Sequence, residues 1–67
     1  MEFKSFASFD AAVTWAAQTL SEYRVRESII PNTYLLVQLS VEYWAAMVNY
    51  NGQTGKWDAQ RPVEKSA

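Results

Sequence analysis

The chain has 67 residues, 49% of them apolar and 15% aromatic, with a formal net charge of −1 and neither cysteine nor histidine. That length holds one domain, and that composition belongs to a folded chain rather than a disordered one. Disulfides are excluded, a zinc centre would have only carboxylates to hold it, and the usual general base and thiol nucleophile are missing, so no metal, no cofactor and no enzymatic activity are expected.

A core of this size supplies only about 3–5 kcal/mol of net stability. Tight aromatic packing or association with another chain is the expected remedy. The one local basic pair, Arg24 and Arg26, is flanked by Glu22 and Glu27, which is not the basic stripe of a nucleic-acid module. Glu42 interrupts the longest apolar run, and Met1-Glu2-Phe3-Lys4 lacks the layout of a secretory leader. The expectation is a cytoplasmic protein without a membrane span.

In chain order, Glu2 to Ala7 reads as a short first strand. Ser8 follows as a helix N-cap, with Asp10 in the first turn where a negative charge favours the helix dipole. Phe9, Ala12, Val13, Ala16, Leu20 and Tyr23 then recur at spacings of three and four. They predict a helix over residues 9–22. Trp15 lies off that stripe, either packing against a neighbouring element or standing as an anchor for a partner.

Tyr23 to Asn32 is a connection, with Arg24-Val25-Arg26 a short extended piece and Pro31-Asn32 a turn. Ile29 and Ile30 are expected to cover one end of the core.

Residues 33–50 admit two readings. As strands, Leu35, Val37, Leu39 and Val41 share one face, and Tyr34, Leu36, Gln38 and Ser40 the half-polar other. A turn near Ser40-Val41-Glu42 leads to a return strand with Trp44, Ala46, Val48 and Tyr50 on one face and Tyr43, Ala45, Met47 and Asn49 on the other. Asn51-Gly52 is a hairpin signal, and Lys56-Trp57-Asp58 returns as a short edge strand. As a helix, the segment runs from a cap at Asn32 or Thr33 to Tyr50, with Gly52 just past its end. The β-branched and aromatic content favours strands. A helix apolar on nearly every side would also have too little to pack against. The expected fold is therefore α+β: one N-terminal helix on a small antiparallel sheet drawn from residues 33–59, in a β-α-β-β-β meander. An all-α helical hairpin is the alternative. The domain spans residues 1–60, and residues 61–67 form a disordered tail.

Gly52-Gln53-Thr54-Gly55-Lys56 does not match a phosphate-binding loop, which needs four residues between its glycines and a Ser or Thr after the lysine. The same spacing matches the backbone-clamping loop of KH domains, but that loop joins two helices and a hairpin loop is the simpler reading. Carboxylate pairs such as Glu22 with Glu27, or Glu42 with Asp58, read as solvated surface charges.

The aromatics are the remaining functional signal. One helix covers one face of a sheet, so some of Tyr34, Tyr43, Trp44, Tyr50 and Trp57 are expected to be exposed or to meet another chain. The expected partner surface is Tyr43, Trp44, Tyr50 and Trp57, with Trp15 outlying, and the partner a protein or a second copy in a homodimer. In size and layout the chain resembles the stand-alone small proteins of phages and mobile elements that bind and inhibit or modulate a host protein. Two further readings stay open. One is a nucleic-acid-binding module that stacks bases on sheet aromatics and places Arg24, Arg26 and Lys56 on phosphates. The other is a structural subunit of a larger assembly.

Overall fold

The computed structural model describes residues 1–40 and 43–62. It is an α+β arrangement in which one helix packs on a five-stranded antiparallel sheet. The elements are β1 (Glu2–Phe6), α1 (Phe9–Ala16), β2 (Tyr23–Glu27), β3 (Thr33–Gln38), β4 (Tyr43–Asn51) and β5 (Lys56–Arg61). Thr33–Gln38 and Tyr43–Asn51 form strands, so the all-α alternative is not supported. Spatially the strands run β1-β5-β4-β3-β2, every neighbouring pair antiparallel.

Helix α1 starts where the sequence signals it. The Ser8 hydroxyl accepts from the Ala11 amide at 3.2 Å, and Asp10 sits in the first turn. The helix stops earlier than its apolar stripe suggests. A single 3-10 turn, Ala17–Thr19, ends it, and Leu20 is already extended at φ −107° and ψ 138°. Tyr23 belongs to β2, where it pairs with Gln38, and not to the helical stripe. Cross-strand pairing with β3 outweighs the local helical pattern over residues 20–23.

The sheet is larger than expected by one strand, because Tyr23–Glu27 is a full edge strand rather than a short extended piece. The last strand is not an edge. β5 lies between β4 and β1, and it runs through Arg61, so that residue is in the sheet rather than in a tail. Residues 63–67 of the expected tail lie outside the described residues.

Directly opposed residues of antiparallel strands share a face. The helix face therefore carries Phe6, Tyr34, Leu36, Ala46, Val48, Trp57 and Ala59. Leu36 and Val48 are its largest fully buried side chains, and Ala12 and Ala16 of α1 meet them with Ala46 and Ala59. Small residues on both layers let the helix approach the sheet closely. The helix packs mainly on β1, β5 and β4 and touches β3 through Leu36 and Tyr34, so β2 lies beyond its reach. The half-polar alternation set of β3 is thus the covered one, while Leu35 and Val37 face away from the helix. Val37 is still only 5% exposed. It lies between Arg24 of β2 and Trp44 of β4, whose long side chains flank it across the sheet.

Candidate protein-binding surface

Strand β4 carries a bulge that decides where its aromatics point. Leu36 pairs with Ala46, but Val37 pairs with Trp44, so Ala45 is an extra residue. The bulge moves Trp44 off the face of Ala46, Val48 and Tyr50, where strict alternation put it, to the face opposite the helix. Trp44 is 41% exposed there. Tyr43 begins β4, and its side chain lies outside the described residues.

The other expected partner aromatics pack mainly on one another. Trp57 is the hub of a cluster, with ring centroids 5.0 Å from Phe9, 5.2 Å from Tyr50 and 6.1 Å from Tyr34. Phe9 also meets Tyr34 edge-on at 5.0 Å. This cluster ties the start of α1 to β3, β4 and β5, and Tyr50 keeps part of its surface exposed. Trp15 packs against Phe6 at 5.8 Å, and the Arg61 guanidinium stacks over its ring at 4.0 Å. Trp44, Tyr50 with Trp57, and Trp15 thus occupy three separate places rather than one patch.

The apolar residues most open to solvent were not among those candidates. Ile29 is fully exposed and Ile30 is 60% exposed, at the tip of the β2–β3 loop. They cover no part of the core, contrary to the expectation from sequence. The loop is closed by its own hydrogen bonds. The Ser28 amide donates to the Thr33 carbonyl at 2.9 Å, the Ile30 amide to the Ser28 hydroxyl at 3.1 Å, and the Thr33 hydroxyl to the Pro31 carbonyl at 3.2 Å. Asn32 takes φ +59°, a region asparagine tolerates. Its carbonyl accepts from the Tyr50 amide of β4 at 2.9 Å. With the backbone so engaged, Ile29 and Ile30 are held outward. Tyr23, Val25 and Leu39 on the same β2–β3 side are exposed as well. The signal available in sequence was Ser28 and Pro31-Asn32 bracketing two isoleucines, a turn-former frame around an apolar tip.

The β4–β5 loop spends its polar backbone internally. Asn51 Oδ1 accepts from the Gln53 amide at 2.9 Å and the Thr54 amide at 3.4 Å. The Gly55 amide donates to the Asn51 carbonyl at 2.8 Å, and the Lys56 amide to the Thr54 hydroxyl at 3.3 Å. A phosphate cradle needs those amides free, so Gly52-Gln53-Thr54-Gly55 is a closed hairpin loop, in which Gly55 supplies the φ of +71°.

Asp58 accepts from Ser5 Oγ at 2.6 Å and from Asn51 Nδ2 at 3.1 Å. These two bonds, Ser5 first, hold its carboxyl below the usual value of 3.8 against a smaller opposing effect of burial. A carboxylate stabilised as the anion is a weaker base, so the Ser5–Asp58 pair joins β1 to β5 and does not activate the serine.

Arg24 and Arg26 oppose Val37 and Leu35, so both stand on the face away from the helix. Lys56 opposes Asn51 on that face at the far end of β5. Comparison with known protein families, curated proteins and solved structures finds no match to this chain.

Proposed function

We propose that this is a non-catalytic protein-binding module of the cytosol, small enough to act as a stand-alone modulator of a larger protein. The observation that carries the reading is the β2–β3 loop, whose internal hydrogen bonds hold Ile29 and Ile30 out into water. Two β-branched apolar side chains on a pre-organised loop suit an apolar pocket of a partner, because little loop entropy remains to be lost on binding. Val25, opposite Leu36 on β2, adds exposed apolar surface on the strand that leads into that loop.

The test is capture from the native host with a photo-crosslinking residue at position 30. The expected result is one dominant protein adduct that disappears when Ile29→Asp is combined with the probe at position 30 and does not form from a probe at Gln53. Equal labelling from positions 30 and 53 would remove the reading.

A second reading has its own supporting observation. The bulge at Ala45 puts Trp44 on the face that also holds Arg24, Arg26 and Lys56, and Phe3 opposes Gln60 on that face too. Aromatics interleaved with cations on an open sheet suit single-stranded nucleic acid. Such binding would be steeply salt-dependent and weakened by Arg24→Glu/Arg26→Glu. No binding of mixed-sequence oligonucleotides at low salt would eliminate it.

A further inference from the structure

The two edges of the sheet differ in their capacity to pair with a copy of themselves. At the β2 edge, two copies related by a twofold axis place an arginine opposite an arginine in every antiparallel register that overlaps three or more strand residues. Centring on Val25 sets Arg24 against Arg26, centring on Arg24 or Arg26 sets each against itself, and like charges directly opposed are repulsive. At the β1 edge the arithmetic reverses. Centring on Lys4 opposes Lys4 to itself, and centring on Glu2 opposes Glu2 to itself. Centring on Ser5 sets Lys4 opposite Phe6 and pairs no opposite charges, whereas centring on Phe3 sets Glu2 opposite Lys4 twice and Phe3 opposite Phe3.

The surroundings of β1 fit that last register. Phe3 is 71% exposed, on the face away from the helix. Glu2 and Lys4 lie on the helix side. Lys4 Nζ rests 5.6 Å from the centre of the Phe6 ring, and the Glu2 side chain, held by Arg61 at 3.2 Å, keeps 45% of its surface open. Among the described residues that Arg61–Glu2 contact is the one ion pair, so Lys4 has no carboxylate there within its own chain. Helix α1 packs on β4 and β5 as well as on β1, and β5 occupies the inner side of β1, so among the described residues no strand pairs with its outer side.

We propose that the protein forms a homodimer by antiparallel pairing of β1 with β1 of a second copy, in the register centred on Phe3, giving one continuous ten-stranded sheet. Charge complementarity selects the register, and the Phe3 pair seals the face away from the helices. The contact is a short strand pair, so it belongs among the weaker, concentration-dependent interfaces. It lies at the opposite edge of the sheet from the β2–β3 hairpin, so it leaves the Ile29–Ile30 loop free and stands independently of the partner reading above.

Charge exchange tests it. Lys4→Glu and Glu2→Lys each turn two symmetry-related attractive pairs into repulsive ones. Analytical ultracentrifugation of either variant alone should show dimerisation about 10- to 30-fold weaker than in the parent. An equimolar mixture of the two variants restores opposite charges at every pair, and should form a mixed dimer of parent-like affinity. Lys4→Glu leaves the Arg61–Glu2 contact in place, so its loss of dimer cannot be ascribed to that contact, and circular dichroism verifies the fold of both variants. A parent that stays monomeric at millimolar concentration, variants that dimerise like the parent, or a mixture that fails to recover would each overturn the proposal.

Discussion

Replacing Arg61 with alanine removes a set of contacts that join the end of the helix to β1 and β5. Its Nη1 donates to the Trp15 carbonyl in the last turn of α1 at 2.7 Å and to Gln18 Oε1 at 2.9 Å. Its guanidinium lies 4.0 Å from the Trp15 ring centre, and its Nε meets Glu2 at 3.2 Å with the arginine side chain only 13% exposed. A cationic donor on a helix C-terminal carbonyl contributes about 1 kcal/mol once partial exposure is allowed for. The stack on tryptophan adds about 0.5–1 kcal/mol, and the half-exposed Glu2 contact about 0.3 kcal/mol. Arg61→Ala should therefore cost about 2 kcal/mol, near half of the net stability a domain of this size holds, and lower Tm by about 8–16 °C. Arg61→Lys keeps the charge but loses the planar stack and the second donor, and should fall between the two. Urea unfolding followed by tryptophan fluorescence measures both, with Trp15 as a reporter of the stack. A loss below about 0.5 kcal/mol for Arg61→Ala would refute the claim that this side chain clamps the helix to the sheet.

Leu36→Ala should cost about 2–4 kcal/mol, because the side chain is fully buried under α1, whereas Ile29→Ser should leave stability within about 0.5 kcal/mol; thermal melts by circular dichroism separate them. Asp58 has a folded-state pKa below its ordinary value, so its contribution is complete above about pH 5 and is lost as pH falls below 3.8 toward the folded value. Asp58→Asn should accordingly flatten the decline in stability between about pH 5 and pH 2, and an unchanged acid limb would count against the Ser5 and Asn51 bonds. Gly55→Ala, at φ +71°, should cost about 1 kcal/mol, while Gly52→Ala, with open space around its Cβ position, should cost less, both read by denaturant midpoint. Native-state hydrogen exchange should show β2 amides opening at lower free energy than those of β4 and β5, since β2 pairs on one side only and no helix covers it; uniform protection across the sheet would contradict this.

What the sequence made legible was local. The Ser8 cap, the Phe9–Ala12–Ala16 spacing, the alternation of residues 33–38 and the Asn51–Gly52 turn each depend on neighbours within a few residues, and each is where the sequence put it. What stayed hidden depends on partners far along the chain. Tyr23 continues a helical stripe, and only its pairing with Gln38 makes it a strand residue. The bulge at Ala45 exists only relative to β3, and it alone decides that Trp44 points away from Tyr50. Arg61 resembled the start of a polar tail because its acceptors, Trp15 and Gln18, precede it by more than forty residues. The Ile29–Ile30 pair was misread for a different reason. An apolar pair is expected to be inside, and hydrogen bonds that close the loop beneath it are not visible as a pattern of residue types.

The uneven burial of the sheet follows from dimensions. Five strands spaced about 4.8 Å apart make a sheet about 19 Å across, while one helix with its side chains is about 10–12 Å wide. A helix of eight residues centred toward β5 therefore covers the β1, β5 and β4 side, reaches β3 at its margin and leaves β2 and the β2–β3 loop without a second layer. The chain handles this gap by composition. The edge strand β2 carries arginines against self-pairing, and β3 is joined to the core by the fully buried Leu36 and by Tyr34, which Phe9 reaches from the helix start. Beyond that reach the sequence still spends Val25, Ile29, Ile30, Leu39 and Trp44, each of which keeps a large share of its surface exposed in the single chain; Ile29 in particular gains nothing from folding, since it is fully exposed. Their position on the side that the helix leaves bare is what gives the partner-binding reading its physical basis.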